Sequence, residues 1–289
     1  MRGLVVAHHA DRGAGAADLD AGGGVPVPSA RAPGLCRALP DGQLDPRKPG
    51  AASGTGGGAD GSADRTRAPT VGGDGVSLRD WLSLKAPDFK GLDPMSSIAV
   101  MPLAAIEQHG PHLPVGTDTL IARGMLDRLR ADCPADLDLI VLPIQAVGKS
   151  NEHLWASGTL TLTAEGALAA WVEIGLSIAR AGLRKVILVN SHGGNLDLMS
   201  ILSRELRVRA GMLAARCQWT SFGVPDGIYS VQERAYGLHG GDQETSLMLH
   251  FRPDLVDMGA AGDFRSTAEG AAIPPVGPIA YGWIASDLN

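Results

Sequence analysis

Four short, largely apolar runs, at residues 98–103, 139–144, 186–189 and 212–217, alternate with segments of helical length and spacing at residues 120–132, 164–181 and 196–210. This β-then-α order constrains the fold more than any other feature of the chain. Apolar runs of this kind mark buried strands, covered on both faces. Parallel strands joined through right-handed helical crossovers supply such cover. The expected class is α/β: three layers, α/β/α, around a mostly parallel central sheet. Asn195 is expected to cap the helix over residues 196–210 and Gly211 to stop it. In open α/β sheets the loops beyond the carboxyl ends of the strands carry the chemistry.

The loop after the first run reads EQHGPHLPVGTD over residues 107–118. Glu107 and His109 are two apart, so on an extended backbone they leave the same face. Turn residues can then fold Asp118 back toward them. Taken alone, Thr117 or Asp118 would serve simply as a helix cap. Two distant segments change that balance. NSHGGN at residues 190–195 places His192 just beyond a buried strand, and HGGDQETS at residues 239–246 adds His239 and Glu244 before an apolar helical stretch. Glu107, His109, Asp118, His192 and Glu244 form an imidazole and carboxylate set suited to Zn²⁺, Mn²⁺ or Fe²⁺. Three carboxylates exceed the need of one catalytic Zn²⁺, so one of them, Asp118 on this reading, bridges two ions roughly 3.5 to 4 Å apart. Water activated by such a pair attacks an amide carbonyl, and the leaving nitrogen then needs a proton. His239, outside the ligand set, is the candidate general acid.

In this order the three motifs resemble the creatininase family of metal-dependent amidohydrolases, from about Trp81 to the end of the chain. The resemblance implies a creatininase-like fold. It also implies one metal on the positions matching Glu107, Asp118 and His192, a second on those matching His109, Asp118 and Glu244, and a catalytic His239. Two divalent ions per chain follow, Zn and/or Mn with Fe also accommodated, and so does a homo-oligomer, commonly a hexamer. Creatininase itself carries a Tyr and a catalytic Glu after the His of its NGHYEN motif, where this chain has Gly193 and Gly194. It also carries a substrate-stacking Trp where this chain has Ala235. The chain thus resembles the NGHGGN branch, whose relatives include a formylaminopyrimidine deformylase and a peptidase that trims a redox-cofactor precursor peptide. The expected activity is hydrolysis of a C–N amide bond in a cyclic amide, a formamide or a dipeptide-like molecule. The competing expectation is a truncated, catalytically silent member that binds metal or ligand without turnover.

Other residues carry two readings each. Ser150 matches a family position that contacts substrate, yet with Glu152 and His153 it also reads as a solvated polar turn. Gly193 and Gly194 allow close approach of substrate or metal, or only a turn into the next helix. His112 is expected to support the ligands rather than join them. Trp155, Trp219 and Trp283 are expected in the core or at subunit contacts. Residues 281–289 resemble a segment that in the family leads to a closing helix, so an apolar face is expected to be left for another subunit to meet.

Residues 1–77 contain no Phe, Trp, Tyr, Ile, Asn or Glu, and Gly, Ala, Asp, Arg and Pro recur. Such a segment buries too little apolar area to offset the entropy of ordering it. Residues 1–76 are therefore expected to be a disordered, dispensable extension, with no role for His8 and His9, and residues 77–289 to form the amidohydrolase domain. The remainder is long enough for a substantial core, the whole chain being 44% hydrophobic. A formal charge of −6 argues against a nucleic-acid or anionic-membrane partner. No apolar stretch is long enough to span a bilayer. The scattered Cys36, Cys133 and Cys217 fit a reducing cytoplasm. A small-molecule amide is the expected partner.

Overall fold

The computed structural model describes residues 78–288. The extension expected at residues 1–76, with His8, His9 and Cys36, lies outside the described residues. The strands are β1 (Arg79–Asp80), β2 (Ile98–Leu103), β3 (Leu139–Val141), β4 (Lys185–Asn190) and β5 (Leu213–Gln218). They form one five-stranded sheet in the order β1-β3-β2-β4-β5, with every pairing parallel. The helices are α1 (Thr117–Asp132), α2 (Ala164–Arg180), α3 (Leu196–Ala210), α4 (Val231–Tyr236) and α5 (Asp242–Phe251).

The two-residue period of the strands sorts their side chains into two cores. Ala99, Met101 and Leu103 of β2, with Val186 and Leu188 of β4, pack against Trp171 and Ile178 of α2 and Leu202 and Leu206 of α3. The intervening Val100, with Val141 and Val189, packs on the opposite face with Leu126 of α1. Helices thus cover both faces, and the three-layer α/β/α expectation holds.

A close contact positions α5. A Cβ added at Gly124 of α1 would lie 2.4 Å from the ring of Phe251 in α5, so only glycine admits this approach. Leu113, Ile121 and Met248 fill the seam beside it.

Three local expectations are corrected. The run at 212–217 reads as a buried strand, but β5 is a sheet edge with one neighbour, and its Leu213 is 60% exposed. β3 stops at Val141 rather than at residue 144, two residues before Pro143, which has no N–H to give to a ladder. Asn195 makes no side-chain cap, because its amide is committed to other loops, and α3 instead grows out of a 3₁₀ turn over Gly193–Asn195. Gly211 does end α3, in the left-handed conformation at φ 64°. No helix among the described residues is long and apolar enough to cross a membrane.

Candidate metal centre

Because β2, β3 and β4 are parallel, the loops that follow them leave the same edge of the sheet, and one buried side chain ties these loops together. Asn195 donates to the carbonyl of Ala104 (3.1 Å) and to Oδ1 of Asn190 (3.1 Å), and its own Oδ1 accepts the N–H of Lys149 (3.0 Å). Across the 107–118 loop, the N–H of Glu107 donates to the carbonyl of Val115 (2.9 Å). This closure brings Asp118, in the first turn of α1, back to Glu107 and His109. Gly116 holds the cap position, and Thr117 spends its hydroxyl on the Pro114 carbonyl (2.7 Å). The carboxylate of Asp118 is left to face the site.

Glu107, Asp118 and His192 offer one ligand atom each within 4.8 Å of one another, and so do His109, Asp118 and Glu244. Asp118 belongs to both triads, with Oδ1 3.5 Å from His109 Nε2 and Oδ2 3.4 Å from His192 Nδ1. Glu107 Oε1 lies 3.1 Å from His192 Nδ1, and Glu244 Oε1 lies 3.7 Å from His109 Nε2. The far nitrogen of each ring is already committed. His109 Nδ1–H donates to the Glu107 carbonyl (3.0 Å), and His192 Nε2–H donates to the Lys149 carbonyl (2.9 Å). A carbonyl only accepts, so in a neutral imidazole the nitrogens aimed at the carboxylates are bare.

A lone pair directed at two carboxylates is repulsive unless a proton or a metal ion lies between them. Glu107 Oε2, His109 Nε2 and Asp118 Oδ2 are buried without a hydrogen-bond partner. Orphaned polar atoms of this kind are rare in folded proteins and point to a partner such as an ion. Locking the remote nitrogen of a histidine on a carbonyl is also how metal-ligating rings are oriented. The residues therefore fit bound divalent metal. Two further groupings meet the same distance limit: Glu107 with His109 and His239, and Glu107 with Glu152 and His153.

The electrostatics divide the cluster. Burial alone would lower His109, but Glu244 and Asp118 hold it well above the usual imidazole range. Burial likewise opposes His192, which Glu107, Glu152 and Asp118 raise well above that range. Burial pushes Asp118 up to about 6 despite His109 and His192. Glu244 is drawn down to about 2, against its burial, by His109. His239 behaves oppositely to the first two rings: burial and the nearby His109 push it down to about 3.

His239 donates its Nε2–H to the Gln108 carbonyl and turns Nδ1 toward Glu107 Oε1, 3.5 Å away. Its ring lies 4.2 Å from that of His109 and 4.3 Å from that of His153. Trp283, expected in the core or at a subunit contact, lies 5.8 Å from both His153 and His239. Ser150, Glu152 and His153 do not form a solvated turn. All three are buried, with Ser150 Oγ 3.3 Å from His192 Nε2 and His153 Nε2 3.4 Å from Glu107 Oε1. Glu152 pairs with Lys149 at 2.8 Å and reaches His192 Nε2 at 3.4 Å. A Cβ at Gly194 would stand 2.0 Å from Glu152 Oε1, whereas Gly193 has open space. His112 stays out of both triads and bonds Thr245 Oγ1 (2.9 Å) through Nε2. Trp155 stands 67% exposed at the rim of the neighbouring cavity. Sequence reasoning gave Glu152, His153 and Trp283 too little weight. The available signal was the S-x-E-H pattern at residues 150–153, which follows a strand just as the motifs at residues 107–118 and 190–195 do.

The creatinine amidohydrolase family model matches residues 83–289. A mycofactocin precursor peptide peptidase of Mycolicibacterium smegmatis is 33% identical over 182 residues, covering 62% of this chain and 68% of the relative. The chain belongs to the creatininase family. This family member is also 28% identical over 176 residues to a creatinine amidohydrolase of Pseudomonas putida, covering 56% of this chain and 66% of that one. Among solved structures, a tryptophan-to-alanine mutant of creatininase matches with a TM-score of 0.54 at 26% identity, covering 70% of this chain and 83% of the other. A structure described as creatininase Mn matches with a TM-score of 0.50 at 25% identity over the same shares of the two chains. The names of these relatives are those of amide-bond hydrolases, and this creatininase-family chain carries two histidine–carboxylate triads, buried except for the half-buried Glu244, that could hold metal.

Proposed function

We propose that this chain is a metal-dependent hydrolase of a C–N amide bond in a small molecule or short peptide, working with two divalent ions. The observation that carries the reading is the shared one: Asp118 turns one oxygen to each of two histidines whose remote nitrogens are locked on backbone carbonyls. Glu107, Asp118 and His192 would hold one ion, and His109, Asp118 and Glu244 the other. Zn²⁺ and Mn²⁺ both suit this nitrogen and oxygen set. When bound, such a pair polarises an amide carbonyl and lowers the pKa of water toward neutrality.

The remaining work falls to side chains. His239 is neutral and its Nδ1 is bare, so it accepts the proton released by the attacking water and returns it to the departing nitrogen. Burial keeps the imidazole unprotonated until that moment. Ser150, with Oγ 3.3 Å from His192 Nε2, and Gly193, which has nothing within 4 Å of its Cβ position, are the proposed substrate contacts on the His192 side.

A cavity of about 830 Å³ opens beside His109 and His239 and is lined in part by Trp155, Tyr236, Phe264 and Arg265. Its volume lies toward the upper end of ordinary ligand pockets, roughly 300 to 1,000 Å³. That space, the two glycines after His192 and the higher identity to peptide peptidases favour a short peptide over a creatinine-sized ring. The test is a panel of di- and tripeptides, formamides and cyclic amides incubated with Zn²⁺- or Mn²⁺-reconstituted protein. Chelator-sensitive release of amine from a short peptide is expected. Metal binding without turnover of any member would overturn the hydrolase reading and favour a silent family member.

A further inference from the structure

Gln108 lies between two candidate ligands, and its two polar ends act on two different histidines. Its side-chain Oε1 accepts the backbone N–H of Gly110 (2.7 Å), which fixes the amide orientation, since only the oxygen can accept. The amide nitrogen therefore points the other way, to His153 Nδ1 (3.3 Å). An amide N–H can only donate, so His153 Nδ1 is the accepting nitrogen and the ring proton sits on Nε2. That Nε2–H is buried and makes no hydrogen bond, although Glu107 Oε1 at the edge of the first triad lies 3.4 Å away. The backbone carbonyl of Gln108 meanwhile accepts Nε2–H of His239 and leaves that ring's Nδ1 bare toward the same carboxylate. One residue thus makes two neighbouring rings, tilted 44° to each other, present opposite ends to the site: His153 a donor, His239 an acceptor.

Buried donors without acceptors are costly to keep, and a second one stands beside the first. Trp283 Nε1 is likewise buried and unpartnered, in a ring 5.8 Å from that of His153. A wall with two idle N–H groups next to a hydrolytic centre suits an oxygen that gains negative charge. We infer that His153 is the hydrogen-bond donor to the carbonyl oxygen of the substrate, oriented for that task by Gln108, and is not a metal ligand. This rests on the proposed amide hydrolysis. As the carbonyl carbon becomes tetrahedral, its oxygen takes up charge, and a donor already in position stabilises it with little reorganisation.

The inference separates from the hydrolase reading by experiment. Long-range proton–nitrogen NMR on the metal-free, full-length chain with labelled histidine reads which ring nitrogen is protonated, with His153→Gln identifying the signal. The wild type is expected to show Nε2–H at His153. Gln108→Glu keeps the Gly110 bond and the shape but turns the other atom from donor into acceptor, so the His153 proton is expected to move to Nδ1. In the metal-loaded enzyme, Gln108→Glu and His153→Phe are each expected to lower kcat by about 10²-fold, the usual cost of one such donor, at unchanged metal content. His153→Gln, which retains an N–H, should recover most of the loss. A bare Nε2 in the wild type, or wild-type kcat in both Gln108→Glu and His153→Phe, would overturn the assignment. If no amide were hydrolysed at all, the hydrolase reading would fall, and the nitrogen spectrum alone would still decide the donor.

Discussion

His109 and His192 on one side of the site, and His153 and His239 on the other, are the same residue type under opposite instructions. Each of the first two turns the nitrogen left free by its backbone carbonyl to two carboxylates and is held well above the imidazole range. Each of the second two faces one of those carboxylates, Glu107, and burial pushes both down, His239 to about 3. The role of a buried histidine here follows from which nitrogen is already committed and how many carboxylates the other one meets. One half of the pocket is an anionic cradle for cations. The other is a neutral wall suited to proton transfer and hydrogen bonding.

The sharpest way to break this division is Asp118→Ala, since Asp118 belongs to both triads. Elemental analysis of reconstituted protein should fall from about two ions per chain toward none, with amide hydrolysis reduced to background. Loss of a single ion would show that the triads do not depend on one bridge. His239→Ala addresses the neutral wall. It should lower kcat by about 10³-fold, within the usual range for a general acid–base, while metal content stays at the wild-type level. Loss of metal with the imidazole would move His239 into the cradle.

Proton release on metal binding compares the two halves directly. In the metal-free protein His109 and His192 are raised above the ordinary 6.5, so their ion pairs stabilise fully below about pH 6.5 and that contribution disappears as pH rises through the folded values. At neutral pH a metal ion must therefore displace their protons, and affinity should weaken as pH falls. Calorimetry in buffers of different ionisation enthalpy should register the released protons. Uptake, or no exchange, would contradict the assignment.

The smallest effects are expected at the paired glycines. Gly194→Ala would force its Cβ against Glu152 and against the Lys149 carbonyl 2.5 Å away, and should cost about 1–3 kcal/mol in thermal or denaturant unfolding. Gly193→Ala meets nothing within 4 Å and should unfold like the wild type.

Much of the architecture was legible because apolar runs and helical spacing report burial locally. β2, β4 and the span of α3 follow directly from those patterns. β5 misleads because its apolar run resembles the buried ones, and only strand order makes it an edge. Glu107, His109, Asp118, His192 and Glu244 were recognisable as one group because each sits on a short motif next to a strand end or helix start. Asn195 escaped because a local cap and a three-loop staple look alike in sequence. The same holds for Gln108, whose side chain reaches a ring 45 positions away. Trp283 could not be placed at all, since nothing near residue 283 indicates which distant wall it lines.

On the proposed reading, two cations share Asp118. Anomalous diffraction from crystals of the zinc-reconstituted chain tests it most directly. Two peaks are expected on opposite sides of the Asp118 carboxylate, one within about 2.0 to 2.2 Å of His192 and Glu107 and the other equally close to His109 and Glu244. A single peak, or a peak held by Glu107, Glu152 and His153, would contradict it.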